Sequence, residues 1–176
     1  MTVFLPPLTL VLGGAASGKS SWAESLVIKS DRPRIYVATA EGFDTEMKDK
    51  IAAHRVARGP DWTTIEAPLN LVGAIGQANA NHVILIDCAT LWLTNILLAD
   101  KDVTAASNDL VTALANAPCP VVIVSNEVGQ GVVPDNALSR KFRNAQGRLN
   151  QDIAAHADTV VAVMAGLPLA LKGQIL

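Results

Sequence analysis

The stretch Leu8–Ser21, LTLVLGGAASGKSS, decides the fold of this chain. A mainly apolar run leads directly into Gly13-Gly14-Ala15-Ala16-Ser17-Gly18-Lys19-Ser20, which has the pattern G-x4-G-K-S. Glycines let the backbone turn its N–H groups around an anion, and a helix that follows adds its positive N-terminal end. The pattern predicts a phosphate-binding loop between a buried strand and a helix, with Lys19 on the β- and γ-phosphates and Ser20 on Mg²⁺. The alternative is a tight glycine turn without a ligand.

Composition narrows the class of protein. The chain has 176 residues, which predicts a single domain over residues 1–176. Half of the residues are apolar and 17% are charged, as expected of an α/β protein whose parallel strands are covered on both faces. A net charge of −2 argues against a nucleic-acid partner. We expect a cytoplasmic protein without a membrane span, in which Cys88 and Cys119 are reduced packing residues.

Strand-like and helix-like segments alternate along the chain. This alternation predicts right-handed crossovers and a mostly parallel sheet. Strands are predicted at 8–13, 34–39, 62–66, 82–87, 121–125 and 159–164. Helices are predicted at 20–29, 45–58, 67–80, 91–99, 105–116 and 136–156, the third with Pro68 in its first turn. The tail from Gly166 is predicted to be irregular.

Polar residues follow several of the predicted strands. In parallel sheets, ligands bind beyond the carboxyl ends of the strands. Thr39, Glu66, Asp87 and Asn126-Glu127 all fall there, at the same edge as the glycine loop. Asp87 ends an aliphatic strand, which is typical of the second acid that holds Mg²⁺ together with Ser20. The alternative is that Asp87 caps the next helix.

A row of charged residues lies on the second predicted helix. Glu46, Lys50, His54 and Arg58 are four residues apart, so they share one helix face. Neighbouring cations disfavour the imidazolium ion, and a neutral imidazole can act as a nucleophile. From the row alone, a solvated charged face is the favoured interpretation.

Basic residues elsewhere allow two interpretations. Arg140, Arg143 and Arg148 lie on the long helix and either bind an anionic substrate or are solvated and ion-paired. His82 at a strand start and His156 at a helix end are interpreted as structural.

Four segments of the sequence, in their order and spacing, are characteristic of one protein family. They are GGAASGKSSWAE from Gly13, YVATAEGFDTEMKDKIAAHRVARGPDWTTIEAP from Tyr36, VILIDCATLWLTN from Val83 and VSNEVGQGVVPDNALSRKFRNAQGRLNQ from Val124. Over residues 8–172 the chain resembles the bifunctional adenosylcobinamide kinase/adenosylcobinamide-phosphate guanylyltransferases of cobalamin biosynthesis. The loop alone is shared with many NTPases, whereas the second and fourth segments are far more specific.

The resemblance implies a fold and two reactions. The fold is a RecA-like P-loop NTPase, an α/β three-layer sandwich with a mostly parallel sheet. ATP or GTP phosphorylates the aminopropanol hydroxyl of adenosylcobinamide. GTP then transfers GMP to a histidine with release of pyrophosphate, and the GMP passes to adenosylcobinamide phosphate to give adenosylcobinamide-GDP. A homotrimer is also implied.

The resemblance also implies roles for individual residues. His54 matches the guanylylated histidine, which reverses the preference drawn from the row alone. Asp87 stands where the family often has Glu, which leaves its metal contact open. Two other functions remain possible interpretations of the sequence: a small-molecule P-loop kinase without a covalent histidine, and a nucleotide-binding regulatory module. The implied nucleotide contacts are Gly13, Gly14, Ala15, Ala16, Ser17, Gly18, Lys19, Ser20, Ala38, Thr39, Ala40, Arg55, Val56, Ala57, Arg58, Glu66 and Asp87, with Ser20 and Asp87 also on Mg²⁺.

Overall fold

The computed structural model describes residues 3–41 and 59–175. Strands and helices alternate along these residues, as the sequence predicts. The strands are β1 (Leu8–Gly13), β2 (Arg34–Ala38), β3 (Trp62–Glu66), β4 (Val83–Asp87), β5 (Val121–Asn126), β6 (Thr159–Met164) and β7 (Leu167–Lys172). The helices are α1 (Lys19–Ile28), α2 (Leu71–Ile75), α3 (Ala89–Leu98), α4 (Val103–Ala115) and α5 (Ala137–His156).

The strands form one seven-stranded sheet in the order β3-β2-β4-β5-β1-β6-β7. Every neighbouring pair is parallel except β6 and β7. The mostly parallel sheet is therefore confirmed. The strand that precedes the phosphate loop is central, between β5 and β6.

Helices cover both faces of the sheet. On one face, Ala23 and Leu26 of α1 pack with Val11, Leu85 and Val124. On the other face, α2, α3, α4 and α5 pack against the alternate residues of the same strands. This arrangement explains why the strands read as nearly continuous aliphatic runs: neither face is left to solvent.

The predicted helix over 67–80 is wrong in its extent, because α2 spans only Leu71–Ile75. Side chains of α3 hold the segment just before α2 in a non-helical conformation. Asn95 Nδ2 donates to the carbonyl oxygen of Pro68 (3.0 Å), and Trp92 Nε1 donates to that of Leu69 (3.1 Å). Asn70 then caps α2 by accepting from the Gly73 N–H. Pro68 therefore lies before the helix and not in its first turn.

The predicted irregular tail is also wrong, because residues 167–172 form β7, antiparallel to β6. The hairpin turn consists of Ala165 and Gly166, with φ of 51° and 77°. Two positive φ values match the turn that suits the natural twist of a hairpin. Pro168 is tolerated because β7 is an edge strand.

The other predicted elements agree with the structure to within two residues at their ends. The predicted helix over 45–58 lies outside the described residues. No helix within 3–41 and 59–175 is long and apolar enough to cross a membrane.

Candidate nucleotide site

The glycine loop connects β1 to α1 in the way that a phosphate-binding loop requires. Gly18 is the N-cap of α1 and has φ of +90°, a conformation that favours glycine. Lys19 and Ser20 therefore begin the helix, where free N–H groups and the helix dipole attract an anion. The Lys19 Nζ donates to the Gly14 carbonyl oxygen at 3.0 Å, which folds the side chain back over the loop.

Close packing fixes the path of the loop. A Cβ on Gly13 would collide with the Ser17 hydroxyl oxygen and lie 2.7 Å from the Val163 carbonyl oxygen. The Gly166 N–H donates to the Ser17 carbonyl oxygen at 2.8 Å, so the β6–β7 turn supports the loop from below. Glycine at position 13 is therefore a packing requirement of the loop.

Strand register brings the other predicted site positions to the same edge. Ala38 pairs with Glu66 on one side and with Asp87 on the other. Asp87 pairs with Val124, and Gly13 pairs with Asn126. Because side chains alternate along strands, these strand-end positions face the side of the sheet that α1 covers. The structure thus aligns the loop, Asp87, Ala38 and Glu66 in one row.

Asp87 is oriented by a neighbouring strand and does not cap a helix. Its Oδ2 accepts from the Tyr36 hydroxyl at 3.2 Å. The N-cap of α3 is Cys88, without a side-chain hydrogen bond, so the helix-cap alternative is wrong. Asp87 is half-buried, which leaves part of the carboxylate open at the sheet edge.

Thr39 is part of a buried clamp. Its hydroxyl donates to the Cys88 carbonyl oxygen (2.8 Å) and accepts from the Cys88 N–H (2.7 Å). Its carbonyl oxygen accepts from Asn95 Nδ2 at 2.9 Å, and the residue is fully buried. The clamp fixes the end of β2 against the residue that follows Asp87.

Both cysteines behave as packing residues. Burial, and then the Asp87 carboxylate, raise the pKa of the Cys88 thiol, and burial raises the pKa of Cys119. Both thiols are therefore protonated at neutral pH.

The three arginines of α5 differ in their contacts. Arg140 donates to the carbonyl oxygens of Pro134 and Asp135, and Arg148 pairs with Asp152 at 3.2 Å. These two contacts support the structural interpretation. Arg143 has neither a hydrogen bond nor an ion pair within the described ranges and stays a candidate for an anion.

The side chains of His82 and His156 contact nearby backbone atoms. The His82 Nδ1 accepts from the Asn79 N–H at 3.0 Å, and the His156 Nδ1 lies 2.9 Å from the Asp152 carbonyl oxygen. Their structural interpretation fits these contacts. His54 and residues 55–58, with the rest of the charged row, lie outside the described residues, so their predicted roles stay predictions.

No cluster of three metal-binding His, Cys, Asp or Glu side chains occurs in the part of the chain that the structure describes. A site of one hydroxyl and one carboxylate still suits Mg²⁺, which commonly takes one or two protein oxygens and completes its shell with water and phosphates.

Comparisons with known proteins agree on the fold and the family. The RadB recombinase matches with a TM-score of 0.55 and 18% identity over 90% of this chain and 75% of that chain. The type III secretion ATPase EscN of enteropathogenic E. coli matches with a TM-score of 0.57 and 9% identity over 90% of this chain and 43% of that one. These likenesses confirm the P-loop NTPase fold.

Relatives of higher sequence identity are named as adenosylcobalamin biosynthesis proteins. The bifunctional adenosylcobalamin biosynthesis protein CobP of Pseudomonas aeruginosa is 44% identical over 94% of this chain and 97% of its own length. The protein CobU of Escherichia coli K12 is 38% identical over 94% of this chain and 99% of its own. The model of the family described as cobinamide kinase/cobinamide phosphate guanyltransferase matches residues 9–171. The chain belongs to this family.

Proposed function

We propose that this chain catalyses two successive transfers to a cobinamide. In the first, the aminopropanol hydroxyl of adenosylcobinamide attacks the γ-phosphorus of ATP or GTP. The bond from that phosphorus to the β–γ bridging oxygen breaks, the nucleoside diphosphate leaves, and the hydroxyl proton passes to water. The product is adenosylcobinamide phosphate.

In the second transfer, a nitrogen of His54 attacks the α-phosphorus of GTP. The bond to the α–β bridging oxygen breaks and pyrophosphate leaves. A phosphate oxygen of adenosylcobinamide phosphate then displaces the histidine from the same phosphorus, which yields adenosylcobinamide-GDP. Basic residues beside His54, Arg55 and Arg58, would neutralise phosphate oxygens during both displacements.

The observation that carries the proposal is the row at the sheet edge. The phosphate loop follows β1, and the acid Asp87 ends β4, two strands away. This is the arrangement that a P-loop enzyme needs to hold a triphosphate and its metal ion. Family membership over nearly the whole chain supplies the substrate class.

Ser20 and Asp87 would hold Mg²⁺. Both offer oxygen ligands, and the Tyr36 hydroxyl on Asp87 Oδ2 fixes the carboxylate without occupying its other oxygen. When bound, the ion would neutralise charge that develops on the phosphates during transfer. Lys19, at the start of α1, would add a second positive charge there.

The nucleotide would lie along the row. From Gly13 to Glu66 the row crosses four strand spacings, about 19 Å at about 4.8 Å each. An extended nucleoside triphosphate, or two nucleotides bound separately, would cover that length. Glu66 is exposed, and its carboxylate can accept from the N1–H and N2–H donors of guanine.

Ala38, Thr39 and Ala40 would contribute in different ways. The hydroxyl and carbonyl oxygen of Thr39 are already engaged with Cys88 and Asn95. We assign Thr39 a positioning role and leave direct nucleotide contact to Ala38 and Ala40, which are less buried.

The corrinoid would bind against the first half of α5. Gln146 Nε2 donates to Ser125 near the end of β5, so residues 137–145 extend about 14 Å past that end. This segment and the loop before it expose Leu138, Val132 and Val133. These exposed apolar side chains suit a large ring, and Arg143, which has no partner among the residues that the structure describes, suits an anionic arm.

A homotrimer in the cytoplasm completes the proposal. Leu167, Leu169 and Leu171 alternate along the edge strand β7 and are 72%, 58% and 59% exposed. An exposed apolar edge is a surface that an oligomer would cover. Light scattering of the purified protein should give the mass of three chains, and a monomer would contradict this part of the proposal.

Product analysis tests the function. The protein with adenosylcobinamide, Mg²⁺ and ATP should form adenosylcobinamide phosphate, and added GTP should convert it to adenosylcobinamide-GDP with one pyrophosphate released for each product. Lys19→Met should lose the first reaction while remaining folded. Absence of both products with the wild-type protein would refute the proposal. Formation of the first product alone would favour a simple P-loop kinase.

A further inference from the structure

The end of β5 is held firmly through its backbone. The Asn126 N–H donates to the Thr90 hydroxyl oxygen at 2.8 Å, and the Asn126 carbonyl oxygen accepts from Asn150 Nδ2 at 3.1 Å. Asn150 Oδ1 in turn accepts from the Ser125 hydroxyl (2.6 Å) and from Gln146 Nε2 (3.0 Å). This buried network ties Asn126 to α3 and α5 without using its side chain.

The side chain of Asn126 points to the opposite face of the sheet. Ser125 faces α5, where it meets Gln146 and Asn150. Val122 and Val124 face α1 and pack in the same cluster as Leu26. Because successive side chains alternate, Asn126 faces α1 and the phosphate loop.

Asn126 lies between the loop and the acid. It pairs in register with Gly13, and the next residue, Glu127, donates its N–H to the Gly13 carbonyl oxygen at 3.1 Å. Val124, two residues earlier, pairs with Asp87. Strand geometry then places the Asn126 Cα about 5 Å from that of Gly13 and about 8 Å from that of Asp87.

The Asn126 Oδ1 is buried and has no hydrogen-bond partner among the described residues. Such an atom is costly to leave unpaired inside a protein. The Ser17 hydroxyl, on the loop side of Gly13, is likewise buried without a partner in the same ranges. Two unsatisfied polar atoms thus flank the glycine at the root of the loop.

Because the Asn126 Oδ1 is a hydrogen-bond acceptor, its missing partner must be a donor. An amide oxygen needs a hydrogen-bond donor, and the ionised phosphates of a nucleotide offer none. A substrate hydroxyl does. We infer that Asn126 is a catalytic residue of the kinase reaction, whose Oδ1 accepts a hydrogen bond from the aminopropanol hydroxyl as that hydroxyl attacks the γ-phosphorus.

This inference rests on the proposed function. The amide oxygen orients the hydroxyl and does not remove its proton, which passes to water as the oxygen–phosphorus bond forms. Orientation of this kind places the attacking oxygen in line with the leaving group. The same residue has no such task in the second transfer, in which an imidazole nitrogen attacks.

The test is Asn126→Ala. Both hydrogen bonds that hold this strand end use backbone atoms, so the variant should fold and keep its thermal midpoint. We expect kcat for phosphorylation of adenosylcobinamide to fall about 10- to 100-fold, the range of one buried hydrogen bond. The Kd for ATP and the rate of GMP attachment to the protein should stay within about twofold. Asn108→Ala, the same truncation on an exposed face of α4, should match the wild type.

Three results would overturn the inference. They are an unchanged kcat in Asn126→Ala, an equal loss in phosphorylation and GMP attachment, and a loss that appears only in the Kd for ATP. If the wild-type protein itself fails to phosphorylate adenosylcobinamide, the proposed function fails with it. A wild type that is active beside an equally active variant refutes only the role of Asn126.

Discussion

The two ends of the row at the sheet edge are built by different means. At the β1 end, the loop is shaped by its backbone: Gly18 adopts a positive φ, Gly13 leaves room for Ser17, and backbone hydrogen bonds join the loop to the β6–β7 turn. At the β2–β4 end, side-chain hydrogen bonds fix the structure, since the Thr39 hydroxyl and the Asn95 amide hold the strand ends together.

Because of this difference, the two ends should be sensitive to different kinds of substitution. The backbone-built end depends on the absence of side chains at particular positions. The end built by side chains depends on single polar groups that pair with buried backbone atoms. Substitutions that add an atom should therefore damage the first end, and substitutions that remove a hydroxyl should damage the second.

Gly13→Ala should have the largest effect. Its methyl group would meet the Ser17 hydroxyl and the Val163 carbonyl oxygen, so the loop must shift. We expect the free energy of unfolding to fall by about 3 kcal/mol, as in overpacked cores, with loss of nucleotide binding. Urea denaturation and nucleotide titration measure both. Gly14→Ala is the matched control for stability, because a Cβ there meets no atom of the described chain within 4 Å. Equal stability of the two variants would contradict the packing argument.

Thr39→Val should have the next largest effect. The substitution keeps the shape but leaves the buried Cys88 N–H without its partner. It also removes one of the two hydrogen bonds to the Cys88 carbonyl oxygen, which still accepts from the Trp92 N–H at 3.2 Å. The unfolding free energy should fall by about 2 kcal/mol. Thr39→Ser keeps the hydroxyl and should lose about half as much, through one methyl group. A Val variant as stable as the Ser variant would show that the clamp is not needed.

The alkaline pH dependence of stability should show the smallest effect, and Cys88 is the thiol that lies at the clamped end. The pKa values of Cys88 and Cys119 are raised in the folded state above the reference value of 9.0. Above that pH the unfolded chain loses thiol protons first, so stability falls, by at most about 1.4 kcal/mol per pH unit for each thiol. Denaturation midpoints of the wild type and of Cys88→Ala from about pH 8 to about pH 10 test this. A wild type whose stability rises with pH would contradict the assigned direction.

The same comparison explains what could be predicted from sequence. Gly13–Ser20 is a local pattern, and Asp87 follows an aliphatic run, so both are visible without a structure. The short α2 is not, because Trp92 and Asn95, which hold the segment before it, lie more than twenty residues away. The strand β7 could have been predicted from the sequence, because Leu167, Leu169 and Leu171 alternate with smaller residues.

Asn126 shows a further limit. The sequence places a polar residue at the end of an aliphatic strand, which indicates a ligand cleft and nothing more. Its orientation depends on Thr90 and Asn150, which belong to two other elements. Only the assembled sheet shows that its amide faces the loop.

We propose that this edge of the sheet binds a nucleotide that becomes covalently attached to the protein. Incubation with GTP labelled at the α-phosphate and Mg²⁺, followed by denaturing electrophoresis and peptide mapping, tests it most directly. We predict one acid-labile, base-stable label on His54, absent from His54→Ala and from protein given γ-labelled GTP. A wild-type protein without label, or a His54→Ala variant labelled equally, would contradict the claim.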